Sequence, residues 1–174
     1  MAILVEDVSK VCQVQPSVGY VTHCLVVYGE VLFDEGNWSQ GRQGSVTKLK
    51  LPATAVVYDI STRSKQMTFR ETRQETADGV NYGVTIEGTY VGMSPVFDWA
   101  RGQESRRWAA IWRDTLGNCY VAGIGFNGFR LGLSHAAAER NGHALVLNGV
   151  FLDRPWRLAA QPAGVGIDLM SYFS

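Results

Sequence analysis

The chain has 174 residues, 46% of them apolar and 18% charged, and its 16 basic and 16 acidic side chains cancel to a formal charge of zero. That length suits one domain, spanning residues 1–174, which hides about 70% of its unfolded surface and needs no disulfide or metal to fold. The apolar share excludes wholesale disorder, and the charge balance removes the basic footprint that specific nucleic-acid recognition requires.

Glycine is frequent, 19 of 174 residues, and together with many Val, Thr and Tyr it predicts β structure with many turns. The cysteines are Cys12, Cys24 and Cys119. They are odd in number and include no C-x-x-C pair, so buried apolar roles are expected rather than a disulfide framework or a zinc ribbon. The segment Met1–Asp7 reaches an acid at Glu6 without a basic or extended apolar region. It does not read as a signal peptide, and the protein is expected to be made in a cytoplasm. No stretch approaches the roughly 18 apolar residues of a membrane-spanning helix.

Along the chain, Val11 to Val14 alternates briefly, and Tyr20 to Phe33 is rich enough in Val, Leu and Tyr for one or two strands. Residues 34–46 hold three glycines among polar side chains and are expected to form a long polar loop, with Trp38 in its middle. Thr47 to Leu51 alternates, Pro52 interrupts, and Ala55 to Ile60 resumes. A long β-hairpin is predicted over 65–91. Its first strand places Met67, Phe69, Glu71 and Arg73 on one side and Gln66, Thr68, Arg70, Thr72 and Gln74 on the other, so much of it is polar on both faces. The turn is Ala77-Asp78-Gly79, and the return strand puts Val80, Tyr82, Val84, Ile86 and Tyr90 on one face.

Ser94-Pro95 opens the one clear helix, expected over about 95–103, with Ser94 as cap and Asp98 near its positive end. Arg106 to Arg113 is ambiguous between helix and strand. The turn at Asp114–Asn118 and the strand after it favour a second hairpin, with Trp108, Ala110 and Trp112 sharing a face. A third hairpin runs from Phe129 to Ala137, through Asn141-Gly142, and on from His143 to Val150. Residues 153–174 read as a glycine-bearing, loosely packed C-terminal tail. The fold class is therefore mainly β: an antiparallel β-sandwich or barrel with one short flanking helix.

No catalytic, cofactor-binding or metal-ligating set emerges. His23, His135 and His143 lack metal-ligand spacing, although His135 and His143 flank one predicted turn. Asp34, Glu35 and Asp59 define no cleft. Gly123-Ile124-Gly125-Phe126-Asn127-Gly128 matches G-x-G-x-x-G but leads into Phe129-Arg130-Leu131-Gly132, which does not read as the helix a dinucleotide site needs. Glycines serving a turn or bulge are the expectation. Trp99, Trp108 and Trp112 are expected in the core. Trp38 and Trp156, in loop-like surroundings, are expected at a subunit contact together with Arg70 and Arg73. Arg101, Arg106, Arg107 and Arg113 form a local basic cluster suited to a solvated or inter-subunit face.

The order of elements is familiar. It is a long hairpin ending in Gly88-Thr89-Tyr90, a short helix, Trp108 to Asp114, Gly117 to Gly123, then Asn141-Gly142-His143-Ala144-Leu145-Val146-Leu147-Asn148-Gly149. Over residues 66–152 it resembles structural proteins of phage and prophage tail modules. The resemblance implies a tail-tube-like β-sandwich or barrel that assembles into rings stacking as a tube, with no enzymatic role. Its partners would be copies of itself and other tail proteins, and its place the virion tail. An alternative is a carbohydrate- or protein-binding β-sandwich module using Trp38 and loop aromatics.

Overall fold

A computed structural model describes residues 18–32, 38–40, 45–49, 51, 55–62, 67–91, 95–125, 127–136 and 142–158. The alternation at Val11 to Val14, Cys12, Asp34, Glu35, Ser94, Phe126, Asn141 and the tail beyond Leu158 lie outside them. Eleven strands follow in order: β1 (Val18–Tyr28), β2 (Trp38–Gln40), β3 (Ser45–Leu49), β4 (Tyr58–Asp59), β5 (Met67–Thr76), β6 (Gly79–Val91), β7 (Arg107–Asp114), β8 (Cys119–Ala122), β9 (Phe129–Ala136), β10 (Gly142–Phe151) and β11 (Trp156–Leu158). A 3-10 turn covers Gly29–Leu32, and helix α1 covers Pro95–Ala100. The molecule is mainly antiparallel β with very little helix.

The ladders run round a circuit. β1 pairs with β7, β7 with β9, β9 with β10, β10 with β6, β6 with β5, and β5 returns to β1. A branch leaves β7 through β8, β11, β3 and β2, and within it β3 and β11 run parallel. β4 adds to β1 at Leu25 and Val26.

Period-two alternation decides which side chains face inward. Met67 and Phe69, Val84 and Ile86, Leu145 and Leu147, and Phe129 and Leu131 all enter one core. Trp108, Ala110 and Trp112 join them from β7, and Cys24 and Val26 from β1. The opposite faces of these last two strands are buried as well. Leu25 and Val27 of β1, with Ala109 and Ile111 of β7, pack a second core against Val46, Leu49, Cys119, Val121 and Leu158. This double burial explains the ambiguity of Arg106 to Arg113: a strand covered on both faces reads as a continuous apolar run, without alternation.

Two indoles in one narrow interior demand small neighbours. Trp112 lies opposite Cys24, and Ala110 lies between Val26 and Ala122. The glycines at 123–128 serve the same end. A Cβ on Gly123 would lie 2.5 Å from the Trp108 carbonyl oxygen, and one on Gly128 2.7 Å from it. Gly123 also holds φ 82°, in the left-handed region. The G-x-G-x-x-G pattern lets this segment turn closely against Trp108 and enter strand β9.

Helix α1 is shorter than expected and ends at Ala100. Gly102 N–H donates to the Trp99 carbonyl at 3.4 Å and Gln103 N–H to the Ala100 carbonyl at 3.0 Å, three-residue closures that tighten and stop the helix. Ala100 is fully buried, and Trp99 packs tilted against Tyr58 and edge-on to Trp108, at centroid distances of 4.7 and 5.2 Å. Two other expectations are corrected. Within the predicted loop 34–46, Trp38–Gln40 pairs with Ser45–Leu49, and the register slip between Ser39 and Gln40 accounts for the weak sequence pattern. Within the predicted loose tail, Trp156–Leu158 is a strand wedged between β8 and β3, and Leu158 is buried in the second core.

Replacing Trp108 by Ala is expected to cost about 3–5 kcal/mol in denaturant unfolding, from lost transfer energy and the cavity left behind. Leu116→Ala, on a side chain 85% exposed, changes stability by less than about 0.5 kcal/mol.

Candidate functional site

The hairpin of β5 and β6 divides into two parts. At its base Met67 and Phe69 face the core, and Glu71 is half-buried. Beyond it, Thr72 through Gly79 are all exposed, so both faces of β5 meet solvent there. At about 3.3 Å per residue the five exposed residues of β5 project roughly 17 Å. Asp78-Gly79 makes the turn, with Gly79 at φ 127°. Among the described residues β5 meets β1 only at Thr68, Phe69 and Arg70, and β6 meets β10 no nearer the turn than Tyr82. The backbone edges of Glu71–Thr76 and of Gly79–Asn81 thus carry no further strand among the described residues, and unpaired edges are templates for another chain.

The expected interface residues do not converge. Arg70 and Arg73 are exposed on β5, with Arg73 paired to Glu75 at 2.9 Å. Such an exposed pair is worth at most about 1 kcal/mol. Trp38 and Trp156 stand on β2 and β11 of the branch, on strands rather than loops. Trp156 is half-buried against the second core of its own chain. It also walls a cavity of about 310 Å³ with Ile124, Phe151, Leu152, Arg154 and Asn81.

A second cavity, about 410 Å³, holds two carboxylates and a phenol that the sequence reading did not single out: Glu71, Asp114 and Tyr120. Asp114 is 8% exposed and organises the β7–β8 turn. It accepts the backbone N–H of Leu116 and of Asn118, both at 2.8 Å, the Asn118 amide at 3.1 Å and the Tyr120 hydroxyl at 3.4 Å. Arg157 donates to Asn118 Oδ1 at 2.6 Å and ties β11 to this turn. Burial, and then the neighbouring Asp114 charge, push the Tyr120 phenol up. Burial raises the Glu71 carboxyl, an effect partly opposed by Arg154 at 3.2 Å. These carboxylates are committed to a turn and to an ion pair. The turn signal Asp114-Thr115-Leu116-Gly117-Asn118 was visible in the sequence, but the burial of its first residue was not.

The other sequence candidates are structural or scattered. Asp59 accepts the Ser61 N–H at 2.8 Å and the Ser61 hydroxyl, which in turn receives the Cys24 N–H at 2.9 Å. Burial raises the thiols of Cys24 and Cys119, disfavouring the nucleophilic thiolate. His135 and His143 lie directly opposite in register. Among the described residues no three His, Cys, Asp or Glu gather as metal ligands, and no helix is long and apolar enough to cross a membrane. Arg106 sits 4.4 Å above the Tyr28 ring, and Arg107 faces Arg130 across strands. No protein-family model, curated protein or solved structure matches the chain.

Two substitutions probe the acidic cavity. Asp114→Ala strands several turn donors and is expected to cost about 1.5–3 kcal/mol in denaturant unfolding. For Glu71 the folded carboxyl holds its proton to higher pH than the unfolded one. Stability therefore falls as pH rises from the unfolded pKa through the folded one. Thermal melts should show Glu71→Gln gaining on the wild type as pH rises through and above the ordinary carboxylate range.

Proposed function

We propose that this protein is a non-enzymatic structural subunit of a phage tail or related injection machine, self-assembling into rings or a tube. The observation that carries the reading is the β5–β6 hairpin, exposed on both faces from Thr72 to Gly79, with free strand edges among the described residues. A ring of copies removes such edges by symmetry, each hairpin adding to the sheet of a neighbour. A formal charge of zero suits dense self-association. The resemblance over residues 66–152 supports the same place in the virion, with other tail proteins as further partners.

A second reading rests on Trp156 in the wall of the 310 Å³ cavity. An indole beside amide and guanidinium groups suits a carbohydrate- or protein-binding module.

The test replaces residues 74–81 by Asn-Gly, joining the directly paired Arg73 and Tyr82 through a two-residue turn. Sedimentation and negative-stain microscopy should show rings or tubes for the wild type and monomers for the shortened chain, with circular dichroism unchanged. A wild type that stays monomeric at high concentration overturns the assembly reading. Glycan binding by that monomer, lost in Trp156→Ala, establishes the second.

A further inference from the structure

Five side chains stand in one transverse row on the outer face of the circuit. Arg70 on β5 lies opposite Thr85 on β6, Thr85 opposite Asn148 on β10, Asn148 opposite Arg130 on β9, and Arg130 opposite Arg107 on β7. Four strand spacings of about 4.8 Å make the row roughly 19 Å long. It contains three guanidiniums and no carboxylate. Like charges directly opposite on neighbouring strands repel, so Arg107 and Arg130 are an unfavourable pair when left alone. Neither guanidinium forms an ion pair or hydrogen bond among the described residues.

These two arginines line a cavity of about 490 Å³ that also presents Gln74, Thr85, Asn127 and Asn148. Among the described residues no acid lines it. Glu87, the nearest acid on the same face of these ladders, lies two residues further along β6 and is exposed. The Thr85 hydroxyl donates to Asn148 Oδ1 at 2.9 Å. That contact occupies the amide oxygen and leaves the Asn148 amino group as a donor. The wall thus offers two guanidinium forks and side-chain amides, with nothing of opposite charge among the described residues to satisfy them.

We propose that this cavity binds a phosphate-class oxyanion, held between Arg107 and Arg130 and oriented by Asn148. A guanidinium fork matches two oxygens of such an anion in a bidentate contact. Two forks and an amide supply more donors than the two oxygens of a carboxylate accept, which favours the four-oxygen anion. The anion is either free phosphate or the terminal group of a small organic phosphate. This inference is independent of self-assembly.

Calorimetric titration of the full chain with inorganic phosphate, and separately with glycerol phosphate, tests it at an ionic strength held constant with sodium chloride. Saturable binding is expected, weakened at least about tenfold in Arg130→Gln and in Arg107→Gln, each of which removes charged hydrogen bonds. Arg73→Gln, outside the cavity, leaves it unchanged. Arg130→Lys keeps the charge without the fork and falls between, and it serves where a glutamine variant fails to fold. Tighter binding of glycerol phosphate identifies an organic phosphate as the source, and equal binding identifies the free ion. Heat that does not saturate, or affinity unchanged in a folded Arg130→Gln protein, overturns the proposal.

Discussion

Strand β7 is the member on which the rest of the structure depends, because it belongs to two cores at once. Trp108 and Trp112 point into the circuit, while Ala109 and Ile111 point into the branch. Burying an indole removes a large apolar area from water, and close packing then dictates what can stand beside it. The small residues around these rings follow from that demand: Ala110 between them, Cys24 opposite Trp112, and glycines where the backbone passes Trp108. The neighbouring aromatics complete the filling. Tyr28 stacks on Trp108 with centroids 4.5 Å apart, and Tyr120 lies 5.7 Å from Trp112. The indole nitrogens of Trp99, Trp108 and Trp112 are buried without a hydrogen-bond partner among the described residues. The aromatic rings packed around these indoles offer an N–H at most a weak contact, so the apolar part of these side chains carries their stabilisation.

What could be read from the sequence depended on how many faces of each strand are covered. β6 alternates visibly because one face is core and the other solvent, and its hairpin partner was bounded by the Asp78-Gly79 turn. β7 hides its periodicity because Ala109 and Ile111 are as buried as Trp108 and Trp112. Strands β2 and β11 were missed for another reason. Each is three residues long, and each exists through tertiary pairing rather than local propensity. The candidate sites were less legible than the fold. Arg70, Arg107 and Arg130 are brought together only by the registers of four ladders, which no local pattern encodes. Asp114 was visible as a turn residue, but its role as acceptor for the whole turn required knowing that Tyr120 and Asn118 fold back over it.

The polarity of the hairpin has a physical meaning that composition alone did not supply. A strand with one face on a core and the other in solvent alternates, and β5 does so up to Phe69. Past Glu71 it has left the core, so the alternation stops. An edge of this kind would pair with any exposed strand unless its side chains limit the choice. Arg73 and Glu75 set charges of both signs along it. Charges on an edge restrict pairing to partners whose own charges complement them, and so contribute specificity more than affinity. At the base, Arg154 reaches Glu71 and the ring of Tyr82, bracing the point where the hairpin departs.

A formal charge of zero does not mean that charges are matched in space. The acidic cavity is internally satisfied: Asp114 takes four donors and Glu71 takes Arg154. The basic row on the outer face has no such complement among the described residues, although the chain holds as many acids as bases. Folding could relieve the Arg107–Arg130 repulsion by placing one carboxylate on β10 or the next strand, β6, and the register offers Asn148 and Thr85 there instead. Neutral donors beside paired cations lower the cost of bringing in an anion and raise the cost of leaving the site empty. Local rules broken in this way, within a fold that otherwise obeys them, mark positions where the chain is shaped for something outside itself.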